Sequence, residues 1–404
     1  MTHPLRILLD ARMLIGTFSG VGRVVTSLVD ELTHQPDVRI VALCGEELYP
    51  PWTHRTDIEL IRSNFRRADR SATRRLWWEE RHLPRLIAAA GVDLYHATWN
   101  SGVPAHCPVP AVLTVHDLIP WHEPRRHFAT RLQWWCHRHA VRASARRAAA
   151  VTTVTNYVRD EVIGTLRLDP AHVFAVPNGV SPPAPVSGPP LPCDRPYVLY
   201  VGGHEPRKNI AALFRALHAY WRRHRATLEL HVTGSPRTLP ADARAEFARL
   251  PQRTAVRFLG HLDDRQLAGE YRRAAALLLL SLDEGFGLPV VEAMAHGCPV
   301  IAANRASLPE VVGDAGLLVD PDAAEDAADA LHRLVSDIAL RRQYIAAGRA
   351  RAALYTWRRS ANTLLPVYQR ALATASEAPA PEAARVMDPA ALGKPAPSAA
   401  QPTL

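Results

Sequence analysis

Glu284 and Glu292 stand eight positions apart in the run EGFGLPVVEAMAHG, directly after the apolar segment Ala276 to Leu282. Gly285 and Gly287 let the backbone approach a ligand closely. Pro289 suits the first turn of a helix predicted to run to His296, and Gly297 supplies its stop. Amides exposed at such a helix start, added to the helix dipole, seat phosphate or sugar hydroxyls. Glu284 lies in the loop and Glu292 about one turn into the helix, so both carboxylates face one cleft. Their chemistry there is hydroxyl recognition, one toward a hexose and one toward a ribose.

A second segment, YVGGHEPRKNI from Tyr200 to Ile210, ends another strand. Gly202 and Gly203 open a tight turn, and Arg207 with Lys208 places two cations beside a helix start. A diphosphate is the guest such a pair takes, because cations on a leaving nucleoside diphosphate stabilise charge that grows in the transition state. A purely structural ion pair is the competing reading, and Asn209 serves either as a ligand or as a helix cap. In FSGVGRV, Phe18 to Val24, Gly20 and Gly22 resemble part of a dinucleotide fingerprint that lacks its third glycine, and a plain loop reads the same way. Arg23 beside them offers a phosphate or acceptor contact. In TVHDLIP, Thr114 to Pro120, His116 and Asp117 end a buried strand, where the histidine is either a satisfied polar group or a hydrogen-bond partner of a donor sugar. Asn178 and Gly179, in VPNGV, read equally as a turn or as a contact at the same level. Base contacts in such a cleft can come from backbone around Gly234 and His261, which leaves guanine and uracil both open.

These residues need strands to carry them. Short β-branched or leucine-rich runs recur at Arg6–Asp10, Val38–Cys44, Asp93–Ala97, Ala111–Asp117, Ala150–Thr155 and Val173–Val176, with helical periodicity between several of them. That is the pattern of parallel sheets buried on both faces. A second series follows at Tyr197–Val201, Thr227–Thr233, Val256–Leu259, Ala276–Leu282, Pro299–Ala303 and Gly316–Val319. The predicted fold is therefore α/β, with two Rossmann-like doubly wound domains facing across a cleft. Residues 1–183 form the first domain and 197–354 the second. A proline-dense linker spans 184–196, a C-terminal helix at 355–373 packs back toward the first domain, and an Ala/Pro-rich tail at 374–404 is expected to be disordered.

At 404 residues, two domains are the default, and a hydrophobic share of 48% supplies both cores. Five scattered cysteines without a C-x-x-C pair suggest neither a zinc site nor a disulfide framework, which fits a reducing cytoplasmic compartment. The N-terminal apolar stretch is cut short by Asp10, below the length of a signal-peptide core, and no run approaches the ~20 residues of a membrane span. The formal charge of +9 concentrates in two Arg- and Trp-rich stretches, Arg66–Arg85 and Arg125–Arg147. They read as solvated helix faces or as a peripheral contact with anionic membrane at its inner face. No motif points to nucleic acid.

Taken together, PRKN at Pro206–Asn209, the two glutamates with GFGLP between them, and SLPEVVGDAGLLVDP at Ser307–Pro321 resemble glycosyltransferase family 4. That family comprises retaining enzymes of the GT-B fold, bacterial mannosyltransferases and lipopolysaccharide-assembly enzymes among them. The resemblance covers Leu5 to Tyr368. It implies that Arg207 and Lys208 bind the donor diphosphate, with Gly203 at their turn. Glu284 and the amides of Phe286, Gly287 and Leu288 hold the transferred sugar, Glu292 the ribose, and Gly22, with Gly20, lies near the phosphates. His116 contacts the sugar near the reacting centre. Transfer of a hexose to a glycan or polyprenyl-linked acceptor is implied, with GDP-mannose as donor ahead of a UDP-sugar. No metal or other cofactor is expected, and the D-x-D at Asp320–Asp322 reads as a helix cap. Alternatives are a sugar-nucleotide epimerase and a non-catalytic relative of the same architecture. Departures from the family pattern are Asn156 and Tyr157 in place of serines, which bears on acceptor choice, and Val24 where an aromatic is frequent.

Overall fold

The computed structural model describes residues 3–14, 20–47, 49–181, 196–225 and 227–377. The first half carries seven parallel strands in the order β3-β2-β1-β4-β5-β6-β7. They are β1 (Leu5–Asp10), β2 (Val38–Cys44), β3 (Glu59–Arg62), β4 (Leu94–Ala97), β5 (Ala111–Val115), β6 (Ala150–Thr153) and β7 (Val173–Ala175). Every residue of β4, β5 and β6 is buried, as expected of strands covered on both faces by helices. The helices are α1 (Gly20–Thr33), α2 (Ala72–Arg81), α3 (Leu83–Ala89), the short α4 (Ile119–His122) and α5 (Pro124–His127), α6 (Arg131–Arg147) and α7 (Asn156–Leu166). Along α1 the buried side chains Val25, Leu28, Val29 and Leu32 recur at helical spacing, so one face meets the sheet.

The second half repeats the plan with six strands in the order β10-β9-β8-β11-β12-β13. These are β8 (Tyr197–Tyr200), β9 (Glu229–Thr233), β10 (Val256–Gly260), β11 (Ala276–Leu279), β12 (Val300–Ala303) and β13 (Leu317–Val319). Its helices are α8 (Ile210–His224), α9 (Ala241–Arg249), α10 (Asp264–Arg273), α11 (Leu288–Ala295), α12 (Leu308–Val312), α13 (Ala324–Ser336) and α14 (Ile338–Ala352), and the chain ends in α15 (Trp357–Glu377). In both sheets strand order reverses at the first strand, between β1 and β4 and between β8 and β11. The crevice outside those carboxyl ends is where such sheets bind ligands.

Three local readings need correction. Glu59–Arg62 is an additional edge strand, paired with β2. FSGVGRV is not an open loop throughout: helix α1 already begins at Gly20, while Phe18 and Ser19 lie outside the described residues. The D-x-D does not cap α13, whose N-cap is Ala323. Instead Asp320 accepts from the Asp322 amide at 3.1 Å, closing a turn just before the helix, and Arg305 lies between the two carboxylates.

Helix α15 follows the second domain in sequence but buries Trp357, Ala361, Leu364, Val367, Tyr368 and Ala371 in a core shared with β1, β2 and α1 of the first. Tyr368 Oη and His96 Nδ1 meet at 2.7 Å, and His96 Nε2 reaches Thr114 Oγ1 at 2.7 Å, so the helix is tied to β4 and β5 by a buried polar chain. At its start, Gly179 fits flush against the chain: a β-carbon there would lie 2.2 Å from the Trp357 amide nitrogen. This close packing places Asn178 and Gly179 beneath α15 and accounts for them structurally. Of the proline-dense stretch at 184–196, all but Pro196 lies outside the described residues, as do residues 378–404 of the tail.

Candidate active site

The floor of the cleft is built by the turns that follow β8 and β11. After β8, a short turn over Pro206–Lys208 ends at Asn209, whose φ of 51° is left-handed and swings the chain into α8. Asn209 makes no side-chain cap, and its Nδ2 is buried with no partner among the described residues. The turn delivers Lys208 and Arg207 to Glu284, with Lys208 Nζ 2.5 Å from Oε1 and Arg207 Nη1 3.2 Å from Oε2. Ser281 Oγ donates to Oε1 at 2.8 Å, and Ser307 Oγ donates to the Glu284 carbonyl at 2.7 Å. Burial pushes the Glu284 carboxyl up, but Lys208 and Arg207 outweigh it and hold the group ionised, below its usual range. Glu284, with Glu205 and Asp117, raises Arg207 against its own burial. Two cations thus share one buried anion.

The chain enters α11 through Gly287, whose φ of 87° suits glycine and whose β-carbon would strike Leu308 Cδ2 at 2.7 Å. The amino ends of α11 and α1 meet across the cleft, since a β-carbon on Gly20 would lie 3.8 Å from Leu288 Cδ1. The positive ends of two helix dipoles are therefore neighbours in the cleft. Phe286 is buried against Tyr355, so its backbone rather than its ring is what a ligand can reach.

Glu292, on α11, is buried and held from two sides: Tyr271 Oη donates to Oε2 at 2.9 Å and Arg23 Nη1 to Oε1 at 2.9 Å. Arg23 comes from α1 in the opposite domain, and its Nη2 also pairs with Asp264 at 2.6 Å. His116 follows β5 directly, with Nε2 donating to the Thr98 carbonyl at 2.9 Å, which in the neutral ring leaves Nδ1 as the acceptor. Burial lowers its pKa and keeps it neutral, the Thr98 carbonyl and Asp117 opposing weakly. Gly285 presses on this point: a β-carbon there would sit 2.2 Å from the His116 carbonyl oxygen. Thr155 Oγ1 adds a hydrogen bond to the Gly285 carbonyl at 3.0 Å. Glu310 accepts from the Asn156 and Tyr157 amides at the start of α7, both at 2.9 Å. The two residues that replace the expected serines thus present their main chain to the second domain, and Asn156 adds its side chain, Nδ2 donating to Glu310 at 3.0 Å.

Sequence patterns had left one group unmarked. Glu161 on α7, Asp117 and Asp283 gather at the cleft mouth, where burial and then mutual repulsion push Glu161 up to about 7 and Asp283 to about 6. His122 Nε2 stands 3.0 Å from Glu161. Gly203 lies at the turn after β8, its open face against the Glu205 carboxylate. Gly234, with φ 91°, exchanges two main-chain hydrogen bonds with Gly260 at 2.8 and 3.1 Å, while His204 bridges the Thr233 carbonyl and Thr238 Oγ1 over it. Gly22 is buried within the first turn of α1.

Residues 188–351 match the family of glycosyl transferases group 1, and residues 18–183 match Glycosyltransferase Family 4. The chain is 29% identical to O-antigen chain mannosyltransferase B of Escherichia coli over 64% of its own length and 70% of that protein's. It is also 29% identical to alpha-maltose-1-phosphate synthase of Mycolicibacterium smegmatis, over 70% of this chain and 80% of the other. Its fold superposes on sucrose-phosphate synthase from Thermosynechococcus elongatus with a TM-score of 0.72, at 21% identity, covering 91% of this chain and 99% of that one.

Proposed function

This chain belongs to glycosyltransferase family 4 and is a glycosyltransferase of the GT-B type, and from that premise we propose that it transfers a hexose, with retention of configuration, from a nucleotide sugar to a glycan or polyprenyl-linked acceptor. The observation that carries the reading is the Arg207–Lys208 pair, anchored on Glu284 where β8 and β11 end and facing the amino terminus of α11. That arrangement suits a diphosphate leaving group. As the bond from the anomeric carbon to the phosphate oxygen breaks, the acceptor hydroxyl attacks on the same face and its proton passes to the departing oxygen. The two cations and two helix termini stabilise the charge that develops there, without a metal ion. Glu284 and the amides of Phe286, Gly287 and Leu288 take the sugar, Glu292 the ribose, and His116 Nδ1 accepts from a sugar hydroxyl.

GDP-mannose is the donor we favour, supported by the likeness to O-antigen chain mannosyltransferase B, with a UDP-sugar as its competitor. The epimerase and non-catalytic readings are not favoured, since the matched families are transferases and the cation–carboxylate constellation is complete. Calorimetry with GDP-, UDP- and ADP-sugars, followed by product analysis, tests the proposal. One donor should bind in the presence of a chelator, at least ~10-fold more weakly to Lys208→Ala, and yield a product of unchanged anomeric configuration. Binding abolished by the chelator, or an inverted product, overturns it.

We further place the protein in the cytoplasm, peripherally at the inner face of the membrane. Trp77 of α2 and Trp135 and Leu132 of α6 are each more than 60% exposed on two helices that pack together. Arg74, Arg81, Arg131 and Arg138 lie in the same helices, and Arg138 stacks on Trp134 and Trp121. Among the described residues no helix is long and apolar enough to cross a membrane. Aromatic and basic side chains together suit an anionic lipid surface. Binding to vesicles containing phosphatidylglycerol should fall as salt rises and on Trp77→Ala/Trp135→Ala; indifference to both overturns the assignment.

A further inference from the structure

The guanidinium of Arg23 is the point at which the first domain reaches into the place assigned above to the ribose. It leaves the first turn of α1 and forks, with one nitrogen 2.9 Å from Glu292 and the other 2.6 Å from Asp264. The two arms differ in kind. The Asp264 side chain is 82% exposed, so its pairing is screened by water and contributes little. Glu292 is buried, where a charge left without its partner is costly. With Tyr271 Oη on the other oxygen, the carboxylate is pinned at both ends and its plane is set.

A carboxylate has roughly four lone-pair sites. Arg23 and Tyr271 engage one on each oxygen, which leaves one on each for the two hydroxyls of a vicinal diol. The ribose therefore shares Glu292 with Arg23 and does not have to displace it. When the domains separate, Arg23 withdraws with α1 and the carboxylate loses half of its orientation.

We propose that Arg23 is a positioning residue for the donor: from the opposite domain it orients Glu292 toward the ribose diol, so that donor affinity and cleft closure reinforce each other. This rests on Glu292 being the ribose carboxylate. Coupling of this kind is reciprocal: whatever closure adds to donor binding, donor binding adds to closure. The two terminal nitrogens of the planar guanidinium let one side chain hold Glu292 and Asp264 at once.

The test uses the full-length enzyme, its nucleoside diphosphate-sugar donor and the 2′,3′-dideoxy analogue of that donor. Arg23→Ala should raise the donor KM by about 10-fold with kcat within about 2-fold, the pattern of lost uniform binding. Affinity for the dideoxy analogue should be the same in wild type and variant, and Arg23→Lys should recover part of the loss. Two results overturn the proposal: tighter donor binding by Arg23→Ala, which would mean that Arg23 competes with the ribose, or equal weakening for both donors, which would mean a clasp with no role in orientation. Glu292→Gln separates this from the reading beneath it. If that variant binds the donor as well as wild type does, the ribose assignment itself fails, whatever Arg23→Ala does.

Discussion

Lys208 Nζ and Glu284 Oε1 stand 2.5 Å apart, both buried, at the meeting of the two turns that floor the cleft. Each is the other's principal charge partner, so a substitution at either position alters both the chemistry and the fold. Lys208→Ala should lower kcat/KM by at least ~10²-fold and also lower the melting temperature, because Glu284 would keep only the longer Arg207 contact. Arg207 is less buried and its removal spares the shorter pair, so Arg207→Ala should reduce turnover to a comparable degree with a smaller change in melting temperature. Calorimetric scans beside steady-state kinetics check this. Near-normal turnover in both variants would remove the pair from the reaction.

Glu161 allows a prediction about pH. Its ordinary carboxyl value of 4.5 is raised to about 7 in the folded chain by burial and by Asp117. Between these values the folded state holds a proton that the unfolded state has released, so the favourable contribution is complete below 4.5 and is lost as pH rises through 7. Glu161→Gln, which cannot ionise, should therefore melt about 1 °C or more above wild type at pH 8 and no higher than wild type at pH 4.5. An equal gain at both pH values would show that its cause is packing and not charge.

The anchorage of α15 rests on Tyr368 and His96. Tyr368→Phe removes one buried hydrogen bond and leaves His96 Nδ1 without its partner, so stability should fall by about 1–3 kcal/mol while donor affinity stays unchanged. Deletion of residues 378–404 removes none of the contacts described and should leave both quantities unaltered. His96 itself adds an acid-side liability: burial pushes its pKa down to about 3, so its contribution is intact above 6.5 and is lost as pH falls from there.

The strands buried on both faces were the easiest to read, because their sequences are continuous apolar runs; β2 begins and ends where Val38 and Cys44 place it. Glu59–Arg62 escaped notice because an edge strand needs no such run, and its ends are exposed. β11 stops at Leu279, short of Leu282, because the Leu282 amide turns to the Arg207 carbonyl at 2.8 Å. Within the site, Glu284, Glu292, Arg207 and Lys208 sit in local motifs whose spacing alone carries the message. Arg23 and Glu292 are 269 positions apart, and no local pattern links them. Tyr271 lies on an ordinary helix face, and the Glu161–Asp117–Asp283 group is drawn from three separate elements. Such relationships exist only once the chain has folded.

The two halves also come together main chain to main chain, at Gly285 and the His116 carbonyl. The gauge of the closed cleft is thus set by an absent side chain. A single methyl group at that position would act as a shim, holding the halves apart by roughly the depth of a carbon atom while leaving each sheet and its helices untouched. A relative that needed to admit a bulkier guest could gain clearance by that one change, without rebuilding either wall.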